Sequence, residues 1–258
     1  HLPQNYEGAI YQVFSSVEQL ATMLQSKNET ERKAKEFLKD TISDISHQLK
    51  TPLAALAMYQ EIIESEPENA ETVKQFAAKM GISLKRMEQL ILSMLKITRL
   101  DTGNIIFEKK SCRVSELIAH SVNELTARAK NENKQIQIDG GGEQKLICDM
   151  EWTGEAIGNI VKNALDHTQV GGIVRITWNR APAMFQIFIS DNGSGIAPED
   201  IHHIFKRFYR SKHSIDTQGI GLGLPLAKSI IEGQGGVISV QSESGKGTLF
   251  TLSFLTEL

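Results

Sequence analysis

The sequence predicts an α+β protein in which a long helical hairpin precedes an α/β sandwich. Three observations support this fold class. Apolar residues recur in steps of three and four through the first hundred or so positions, a polar break interrupts them at 65–69, and short β-like runs begin after Asn104. A three-four apolar repeat is typical of helices that pack along each other. Strands mixed with helices are typical of a sheet covered by a helical layer.

The first helix is predicted from Ile10 to Glu64. Its apolar positions are Ile10, Phe14, Val17, Ala21 and Leu24 and, after a polar gap, Leu38, Ile42, Ile45, Leu49, Leu56, Tyr59 and Ile63. A helix of this length runs roughly 80 Å at 1.5 Å per residue, which is too long for a compact monomer, so we expect a partner helix. Pro52 lies inside the helix, where a proline removes a hydrogen bond and normally produces a kink.

The second helix is predicted to follow a turn at Ser65–Asn69 and to end at Asp101–Asn104. Its apolar positions are Val73, Phe76, Met80, Met87, Leu90, Met94 and Ile97. Two helices joined by a short turn form an antiparallel hairpin, and one hairpin cannot cover both apolar stripes, so we expect a homodimer with a four-helix bundle. A dimerisation coiled coil alone would explain this half of the chain except for His47 and its neighbours.

The second half of the chain predicts the sandwich. The β-like runs are Ile105–Phe107, Gln135–Ile138, Lys145–Cys148, Ile173–Trp178, Phe185–Ser190, Gly236–Ser242 and Thr248–Phe254. The helical stretches are Val114–Asn131, Glu151–His167 and Leu224–Gly233. This mixture indicates that helices cover one face of a sheet.

Composition bounds the function. The net charge of −3 gives no general reason to expect nucleic-acid binding. Cys112 and Cys148 are far apart and have no metal-site spacing, which predicts two reduced core thiols in a cytosolic compartment. Neither a signal-peptide pattern nor an apolar run of about 18 residues occurs, so we expect no membrane span in this sequence. The opening His1-Leu2-Pro3 suggests that an upstream part is missing.

A nucleotide site is predicted in the second half, although the two commonest phosphate-binding patterns are absent. Gly245-Lys246-Gly247-Thr248 is not a P-loop, because a glycine follows the lysine where a P-loop has Ser or Thr. Gly219–Leu224 fails the dinucleotide pattern and follows no strand. Four other elements occur in order. They are Asn159–Ala164 on a helix, Asp191–Ile196 after an apolar strand, Phe205–Arg210 before a polar loop, and Gly219–Gly223 at the start of a helix.

The chemistry of these elements suits ATP. Asn159 and Asn163 are four residues apart, so both amides project from one helix face, and an amide oxygen is a suitable ligand for Mg²⁺ beside phosphates. Asp191 can accept a hydrogen bond from the exocyclic amine of adenine and would repel the carbonyl of guanine. Glycines at a helix N-terminus present N–H groups to phosphates. Each glycine cluster alone would indicate a turn, but their joint order predicts the site.

These elements, together with a histidine motif in the first helix, resemble the bacterial two-component sensor histidine kinases over residues 34–258. Ser46-His47-Gln48-Leu49-Lys50-Thr51-Pro52-Leu53 looks like the phosphoacceptor box of that family. The other motifs are similar, in order, to its N box (Asn159–Ala164), first glycine box (Asp191–Gly195), F box (Ile204–Arg210), second glycine box (Gly219–Leu224) and last glycine motif (Gly245–Thr248).

The resemblance implies three parts. Residues 1–33 would be a signalling helix or coiled-coil linker, 34–102 a dimerisation and histidine-phosphotransfer domain, and 103–258 an ATP-binding domain of the GHKL or Bergerat type. It also implies that the chain is the cytoplasmic portion of a membrane-anchored sensor protein whose sensor segment is absent here. Besides a second copy, the implied partner is the receiver domain of a response regulator, with no direct contact to nucleic acid.

The implied reaction transfers the γ-phosphoryl group of ATP to a ring nitrogen of His47 and then to an aspartate of the regulator. Imidazole suits this role because its reference pKa of about 6.5 leaves it mostly neutral at cellular pH. Mg²⁺ would be held by Asn163. The implied ATP contacts are Asn159, Lys162, Asn163, His167, Asp191, Gly193, Gly195, Ile196, Arg207, Phe208, Arg210, Gly219, Ile220, Gly221, Leu222, Gly223, Leu224 and Thr248. For the two arginines, a solvated surface position is the alternative.

The sequence departs from the family pattern at Gln48, where the family has an Asp or Glu proposed to take the imidazole proton. A glutamine cannot usefully take a proton, and general-base help contributes about 10²–10⁴-fold in rate. We hypothesise that Asp44, three residues before His47 on the same side of the helix, or solvent accepts the proton while Gln48 orients the ring. A solvated Asp44 without a role is the alternative. The resemblance also associates Thr51 with dephosphorylation of the partner.

Two other functions fit parts of the sequence. A gyrase- or chaperone-like ATPase would use the same ATP site without phosphotransfer, and the motif around His47 argues against it. A degenerate kinase would act as a dimeric ATP-binding scaffold or only as a phosphatase. The intact set of Asn163, Asp191 and Gly219–Gly223 argues against degeneracy, although Gln48 keeps this alternative open.

Overall fold

The computed structural model describes residues 5–140, 143–211 and 219–256. The chain divides into two compact units, residues 1–84 and 85–258. The first unit contains α1 (Asn5–Ser65) and the beginning of α2 (Ala70–Asp101), and the second contains the rest of α2 and a sheet domain. The predicted order of a helical hairpin followed by an α/β sandwich is confirmed.

The first unit is dominated by α1, one continuous helix of 61 residues that runs through Pro52. A proline has no N–H, so the hydrogen bond to the carbonyl of Gln48 is missing at this point. Pro52 is buried, whereas its neighbours Thr51 and Leu53 are exposed. The proline therefore lies on the face of α1 that is turned away from solvent.

Side chains of the turn itself hold α1 and α2 together. Asn69 caps α2, because its side-chain oxygen accepts a hydrogen bond from the Thr72 N–H at 3.3 Å. The Asn69 amide and the Thr72 hydroxyl both donate to the carboxylate of Glu66, at 3.1 and 2.9 Å. Beyond the turn, the ring centroids of Tyr59 and Phe76 lie 5.6 Å apart. The two helices therefore form an antiparallel hairpin within the first unit.

Much apolar surface of the first unit is exposed in a single copy of the chain. The exposed apolar side chains are Phe14, Val17, Leu20, Met23, Leu24, Ile42, Leu53, Met58, Ile82 and Leu84. Exposed apolar surface of this extent marks an interaction surface. None of the helices in the described ranges combines the length and the apolar composition needed to cross a bilayer.

A five-stranded sheet forms the base of the second unit. In spatial order its strands are β2 (Gln135–Gly140), β4 (Ile173–Arg180), β5 (Met184–Asp191), β7 (Gly247–Leu255) and β6 (Val237–Glu243). β2 runs parallel to β4, and the other neighbours are antiparallel. A separate antiparallel pair consists of β1 (Lys110–Arg113) and β3 (Lys145–Cys148).

Three helices cover this sheet, namely α3 (Val114–Asn131), α4 (Met150–His167) and α6 (Gly223–Gly233), while α5 (Pro198–Ile201) is one short turn. The core contains Ile157, Ile160 and Leu165 from α4, Ile230 and Ile231 from α6, and Ile176, Ile187, Phe250 and Leu252 from the sheet. Burial alternates along β4, β5 and β7, so one face of each strand meets the helices. The last turns of α2 add Leu90, Met94 and Ile97, which are also buried.

One predicted strand is wrong. Ile105–Phe107 is not a strand, and the ring of Phe107 instead packs edge-on against Trp152 with centroids 6.1 Å apart. The next N–H group, that of Glu108, donates to the carboxylate of Asp149 at 2.9 Å rather than to a neighbouring strand. Contacts with α4 therefore override the β propensity of this apolar run, and β1 begins only after it.

At Gly247 the start of β7 lies in close backbone contact with the end of β5. Gly247 has a φ of +97°, and a Cβ there would lie 2.0 Å from the carbonyl oxygen of Asp191. Gly245 also has a positive φ, +80°, but a Cβ there would meet no atom within 4 Å. Gly247 is therefore subject to two constraints, a left-handed backbone and a close contact, whereas Gly245 is subject only to the first.

We predict that Gly247→Ala lowers the free energy of unfolding by about 3 kcal/mol, because backbone strain and steric overlap add. Gly245→Ala is the matched control and should lower it by about 1 kcal/mol through the strain alone. Urea unfolding followed by circular dichroism measures both values. An equal decrease in the free energy of unfolding in the two variants would show that the close contact between position 247 and the Asp191 carbonyl oxygen does not constrain the fold.

Candidate ATP-binding site and phosphoacceptor helix

The first predicted site element lies on α4, which begins at a capped end. Asp149 is the N-cap residue, and its carboxylate accepts a hydrogen bond from the Trp152 N–H at 3.1 Å. Asn159 and Asn163 follow on one face and are half-buried, while the opposite face of α4 is part of the core. Core packing therefore fixes the direction in which the two amides project.

Two cavities that share part of their lining contain most of the predicted ATP contacts. The first, of about 300 Å³, is lined by Asn163, His167, Asp191, Gly195, Ile196, Arg210, Gly219, Gly221, Leu224 and Thr248. The second, of about 370 Å³, is lined by Asn159, Lys162, Asn163, Gly219, Ile220, Gly221, Leu222, Gly223 and Leu224. The structure thus brings together residues from α4, the loop after β5, the segment before α6 and the start of β7.

Three predicted contacts line neither cavity: Gly193, Arg207 and Phe208. The guanidinium of Arg207 donates a hydrogen bond to Asp101 at the end of α2. Phe208 has a φ of +59°, and its N–H donates to the carbonyl of Gly221 at 2.9 Å. In the described structure, Phe208 therefore supports the glycine segment through a backbone hydrogen bond and does not line either cavity.

Asp191 lies at the end of β5 and is half-buried. Burial raises the pKa of its carboxyl group, whereas hydrogen bonds from the backbone N–H groups of Gly193 and Thr248 oppose this rise. The bond from Gly193 is 2.9 Å long. A Cβ on Gly193 would lie 2.4 Å from the carbonyl oxygen of His167, so only glycine fits this position. The carboxylate is thus held at a fixed place in the wall of the first cavity.

Hydroxyl groups fasten the loop after β5 to the β6–β7 hairpin. The Ile196 N–H donates to the hydroxyl of Ser242 at 2.8 Å, and that hydroxyl lies 3.0 Å from the hydroxyl of Thr248. The Gly245 N–H donates to the carbonyl of Ser194 at 2.7 Å. Thr248 therefore has a structural partner in addition to its place in the cavity lining.

The glycine segment before α6 approaches two neighbours closely. A Cβ on Gly221, which has a φ of +75°, would lie 2.8 Å from the carbonyl carbon of Phe208, and a Cβ on Gly223 would lie 3.1 Å from Oδ1 of Asn159. α6 begins at Gly223, and its first N–H groups have no partners within the helix. Such N–H groups favour anionic ligands.

Three residues that line both cavities were not among the predicted ATP contacts: Asp166, Ile204 and Tyr209. Asp166 accepts a hydrogen bond from Arg128 at 2.6 Å, and the Tyr209 hydroxyl donates to Asp200. Helical spacing could have identified Asp166, because it follows Asn163 by three residues on the same face. Tyr209 has no sequence signal beyond its place in an aromatic cluster.

The amide of Asn163 fits the requirements of a magnesium ligand. It is half-buried, it lies in the lining shared by both cavities, and it makes no hydrogen bond within the described part of the chain. An amide oxygen is a hard neutral ligand, and Mg²⁺ commonly combines one or two protein oxygens with water and phosphate oxygens. The donor set here is therefore compatible with a cation that is shared with a nucleotide.

The second predicted site lies on α1, in the first unit. His47 is exposed, and its ring makes no hydrogen bond or ion pair with any described residue. Asp44 is also exposed, Gln48 is half-buried, and the hydroxyl of exposed Thr51 donates to the backbone carbonyl of His47 at 3.4 Å. α1 thus presents an accessible imidazole, as a phosphoacceptor requires.

Two family models match the chain. The His Kinase A (phospho-acceptor) domain matches residues 37–103, and the histidine kinase-, DNA gyrase B- and HSP90-like ATPase matches residues 148–258. The first match contains His47, and the second contains every predicted ATP contact from Asn159 to Thr248.

Two curated relatives are named as sensors. The chain is 30% identical over 217 residues to the sensor-like histidine kinase SenX3 of Mycobacterium bovis, a match covering 83% of this chain and 53% of SenX3. It is also 30% identical over 217 residues to the sensor protein SrrB of Staphylococcus aureus, a match covering 83% of this chain and 37% of SrrB. The chain therefore spans about half of SenX3 and a smaller share of SrrB.

Solved structures share the fold. The histidine kinase ThkA in complex with the response regulator protein TrrA superposes with a TM-score of 0.71 at 20% identity, covering 90% of this chain and 66% of that one. Acinetobacter baumannii histidine kinase AdeS superposes with a TM-score of 0.67 at 18% identity, covering 81% and 97%.

The order of the domains decides between the families that share this ATPase fold. Gyrase- and HSP90-like proteins appear in the description of the second matched domain, but the phosphoacceptor domain that precedes it here is described for histidine kinases. Because a phosphoacceptor hairpin and this ATPase domain follow each other in one chain, the chain belongs to the bacterial two-component sensor histidine kinases.

Proposed function

We propose that the second unit binds ATP and that the γ-phosphoryl group of ATP is transferred to His47. From His47 the phosphoryl group then passes to an aspartate on the receiver domain of a response regulator. The observation that carries this proposal is the convergence of separate sequence motifs on two cavities with a shared lining, in a chain that also exposes His47 on a phosphoacceptor helix. A response regulator is the partner named in the ThkA complex, which supports this class of partner.

Each wall of the site has a chemical role in this proposal. The carboxylate of Asp191 accepts a hydrogen bond from the exocyclic amine of adenine, and the N–H groups at the start of α6 bind phosphate oxygens. Lys162, which is exposed and lines the second cavity, contributes positive charge beside the phosphates. Mg²⁺ held by Asn163 would neutralise phosphate charge during transfer.

At His47 the transfer exchanges one phosphorus bond for another. A ring-nitrogen lone pair forms a bond to the γ-phosphorus, the bond from that phosphorus to the bridging oxygen breaks, and ADP leaves. The phosphorylated ring then carries a positive charge, and it becomes neutral when the proton on the other ring nitrogen leaves. Gln48 cannot take it, so we propose that the exposed carboxylate of Asp44 does.

A homodimer is part of the proposal, because the exposed apolar side chains of the hairpin need a partner surface. Two hairpins that pack together would form the four-helix bundle that the apolar repeat predicts. Phosphatase activity on the regulator is a second proposed activity, supported by the exposed hydroxyl of Thr51 one turn after His47. Anchoring of the whole protein in a membrane stays a prediction.

We predict that incubation with γ-labelled ATP and Mg²⁺ gives a label that is labile to acid and stable to base, as expected for phosphohistidine. His47→Ala should abolish this label. His120→Ala is the matched control, because His120 is an exposed histidine on a helix of the other unit, and it should keep the label. An acid-labile label that persists in His47→Ala would contradict the proposed acceptor, and ATP hydrolysis without any label would favour the ATPase alternative.

Asp44→Asn should lower the initial rate of autophosphorylation at least ten-fold, because the only carboxylate proposed to take the ring proton is removed. Gln48→Glu alone should autophosphorylate faster than the wild type. Added to Asp44→Asn, Gln48→Glu should restore part of the lost rate. Glu61→Gln, a neutralised exposed acid elsewhere on α1, serves as the control for charge. An unchanged rate in Asp44→Asn would assign the proton to solvent.

Thr51→Ala should slow dephosphorylation of the phosphorylated regulator at least ten-fold while His47 is still labelled at a comparable rate, because the hydroxyl that would position water is lost. Thr51→Ser keeps the hydroxyl and should retain most of the phosphatase rate. The measurement is loss of label from the purified phosphoregulator. Equal rates in the wild type and Thr51→Ala would remove Thr51 from the proposal.

A further inference from the structure

Cys112 and Cys148, which are 36 residues apart in sequence, form a pair of thiols in the second unit. Their Sγ atoms lie 3.4 Å apart. The two residues belong to neighbouring strands, because Cys112 is paired with Leu146 on β3 and Cys148 with Lys110 on β1. Side chains two positions apart on one strand point to the same face, so the two thiols are diagonal neighbours on one face of this small sheet. The spacing in the sequence gave no sign of this pairing.

We propose that Cys112 and Cys148 are a redox-active dithiol that a hydroperoxide converts reversibly into an intramolecular disulfide. The sulfur atoms must approach by about 1.4 Å to reach the disulfide bond length of about 2.05 Å. β1 and β3 have four residues each and belong to no larger sheet, so little other structure has to move. The proposal concerns thiol chemistry and is independent of the kinase reaction.

The environments of the two thiols differ in a way that assigns their roles. Cys112 is half-buried, whereas Cys148 is only 1% exposed. The hydrogen bond between the thiols lowers the pKa of Cys112 to about 7, and the same bond together with burial raises the pKa of Cys148. Cys112 is therefore the more acidic thiol of the pair and the one that more readily forms the reactive thiolate, while Cys148 keeps its proton.

A cavity provides access to this pair. Its volume is about 770 Å³, and both cysteines line it. The charged side chains that line the same cavity are Glu108, Lys110, Arg113, Glu116, Lys145, Asp149 and Glu151. Of these, Glu116 raises the pKa of Cys112, opposing the effect of Cys148. A small oxidant such as hydrogen peroxide can therefore reach Cys112 without unfolding of the core.

The proposed reaction has two balanced steps. The Cys112 thiolate attacks one oxygen of hydrogen peroxide, an S–O bond forms, the O–O bond breaks, and hydroxide leaves, so that Cys112 becomes a sulfenic acid. The Cys148 sulfur then attacks the Cys112 sulfur, the S–O bond breaks, and the Cys148 proton and the hydroxide leave as water. Two electrons pass from the two sulfurs to the peroxide, and an added dithiol returns them.

The bond would fasten two parts of the second unit. β3 ends at Cys148, and the next residue, Asp149, caps α4 and also accepts the Glu108 N–H at 2.9 Å. A disulfide would therefore fix β1 and the segment before it to the base of α4, the helix that carries Asn159 and Asn163. We expect the amides of β1 and β3 to exchange hydrogen more slowly in the oxidised chain than in the reduced chain.

Intact mass spectrometry of the wild-type chain tests the proposal directly, because the chain contains only two cysteines. After treatment with hydrogen peroxide and alkylation of free thiols, a monomeric chain should lose two hydrogens and take up no alkyl group, and dithiothreitol should reverse this change. Peptide mapping should recover the Cys112–Cys148 bond. A chain that keeps two alkylatable thiols, or that forms only bonds between copies, would overturn the proposal.

Single variants separate the two roles. In Cys148→Ala the reaction should stop at the Cys112 sulfenic acid, which dimedone traps, whereas Cys112→Ala should leave Cys148 unmodified until the chain is unfolded in urea. The rate at which iodoacetamide alkylates Cys112 should be half-maximal near pH 7 in the wild type and shift upward in Cys148→Ala. Cys148→Ser provides a second variant if the alanine loosens the core. An unchanged pH profile, or faster modification of Cys148 than of Cys112, would contradict the assigned roles.

Discussion

The architecture of the second unit depends on a buried set of hydrogen bonds centred on Asp149. Its carboxylate caps α4 and accepts the Glu108 N–H, and its own N–H donates to the side chain of Gln234 at 2.7 Å. The Gln234 amide in turn donates to the hydroxyl of Thr153 at 3.0 Å. Asp149, Gln234 and Thr153 are all buried, so any partner that is lost leaves a polar group unsatisfied in the core.

This set of bonds matters for the site because it connects the ends of two helices. Asp149 stands at the start of α4 and Gln234 follows the end of α6, and these helices carry the amides and the glycine segment that line the cavities. The Lys109 ammonium also donates to the Gln234 carbonyl at 2.6 Å, which ties the segment before β1 to the same place. Because both helices are fixed at this end, the other end of α4 and the beginning of α6 can meet at a defined separation.

The same region accounts for the proposed thiol chemistry. Cys148 precedes Asp149 directly, so the strand that delivers the N-cap of α4 also delivers the buried thiol. The hydrogen bond with Cys112, together with burial beside the cap, raises the pKa of Cys148, while Cys112 lies nearer the surface on the neighbouring strand. One structural arrangement therefore supports the nucleotide helix and creates two cysteines of different acidity.

Sequence patterns by themselves determined much of the secondary structure of this protein and most of its candidate site residues. Apolar repeats predicted the continuous α1 and the hairpin, because helix periodicity is a local property of the chain. The motifs around Asn163, Asp191 and Gly219–Gly223 predicted much of the cavity lining, and the motif around His47 predicted an exposed histidine on α1. The strand predicted at Ile105–Phe107 was wrong, because Phe107 packs on α4 instead of pairing.

Only the tertiary structure decided which residues of these motifs line the cavities and which support the site through contacts elsewhere. Phe208 hydrogen-bonds to Gly221 and lines neither cavity, Tyr209 lines both cavities although its sequence marked it only as part of an aromatic cluster, and Arg207 bonds to α2. The pairing of Cys112 with Cys148 likewise appeared only in the fold. These features depend on contacts between residues distant in sequence, and the distance between two such side chains is set by the packing of whole elements rather than by any local pattern.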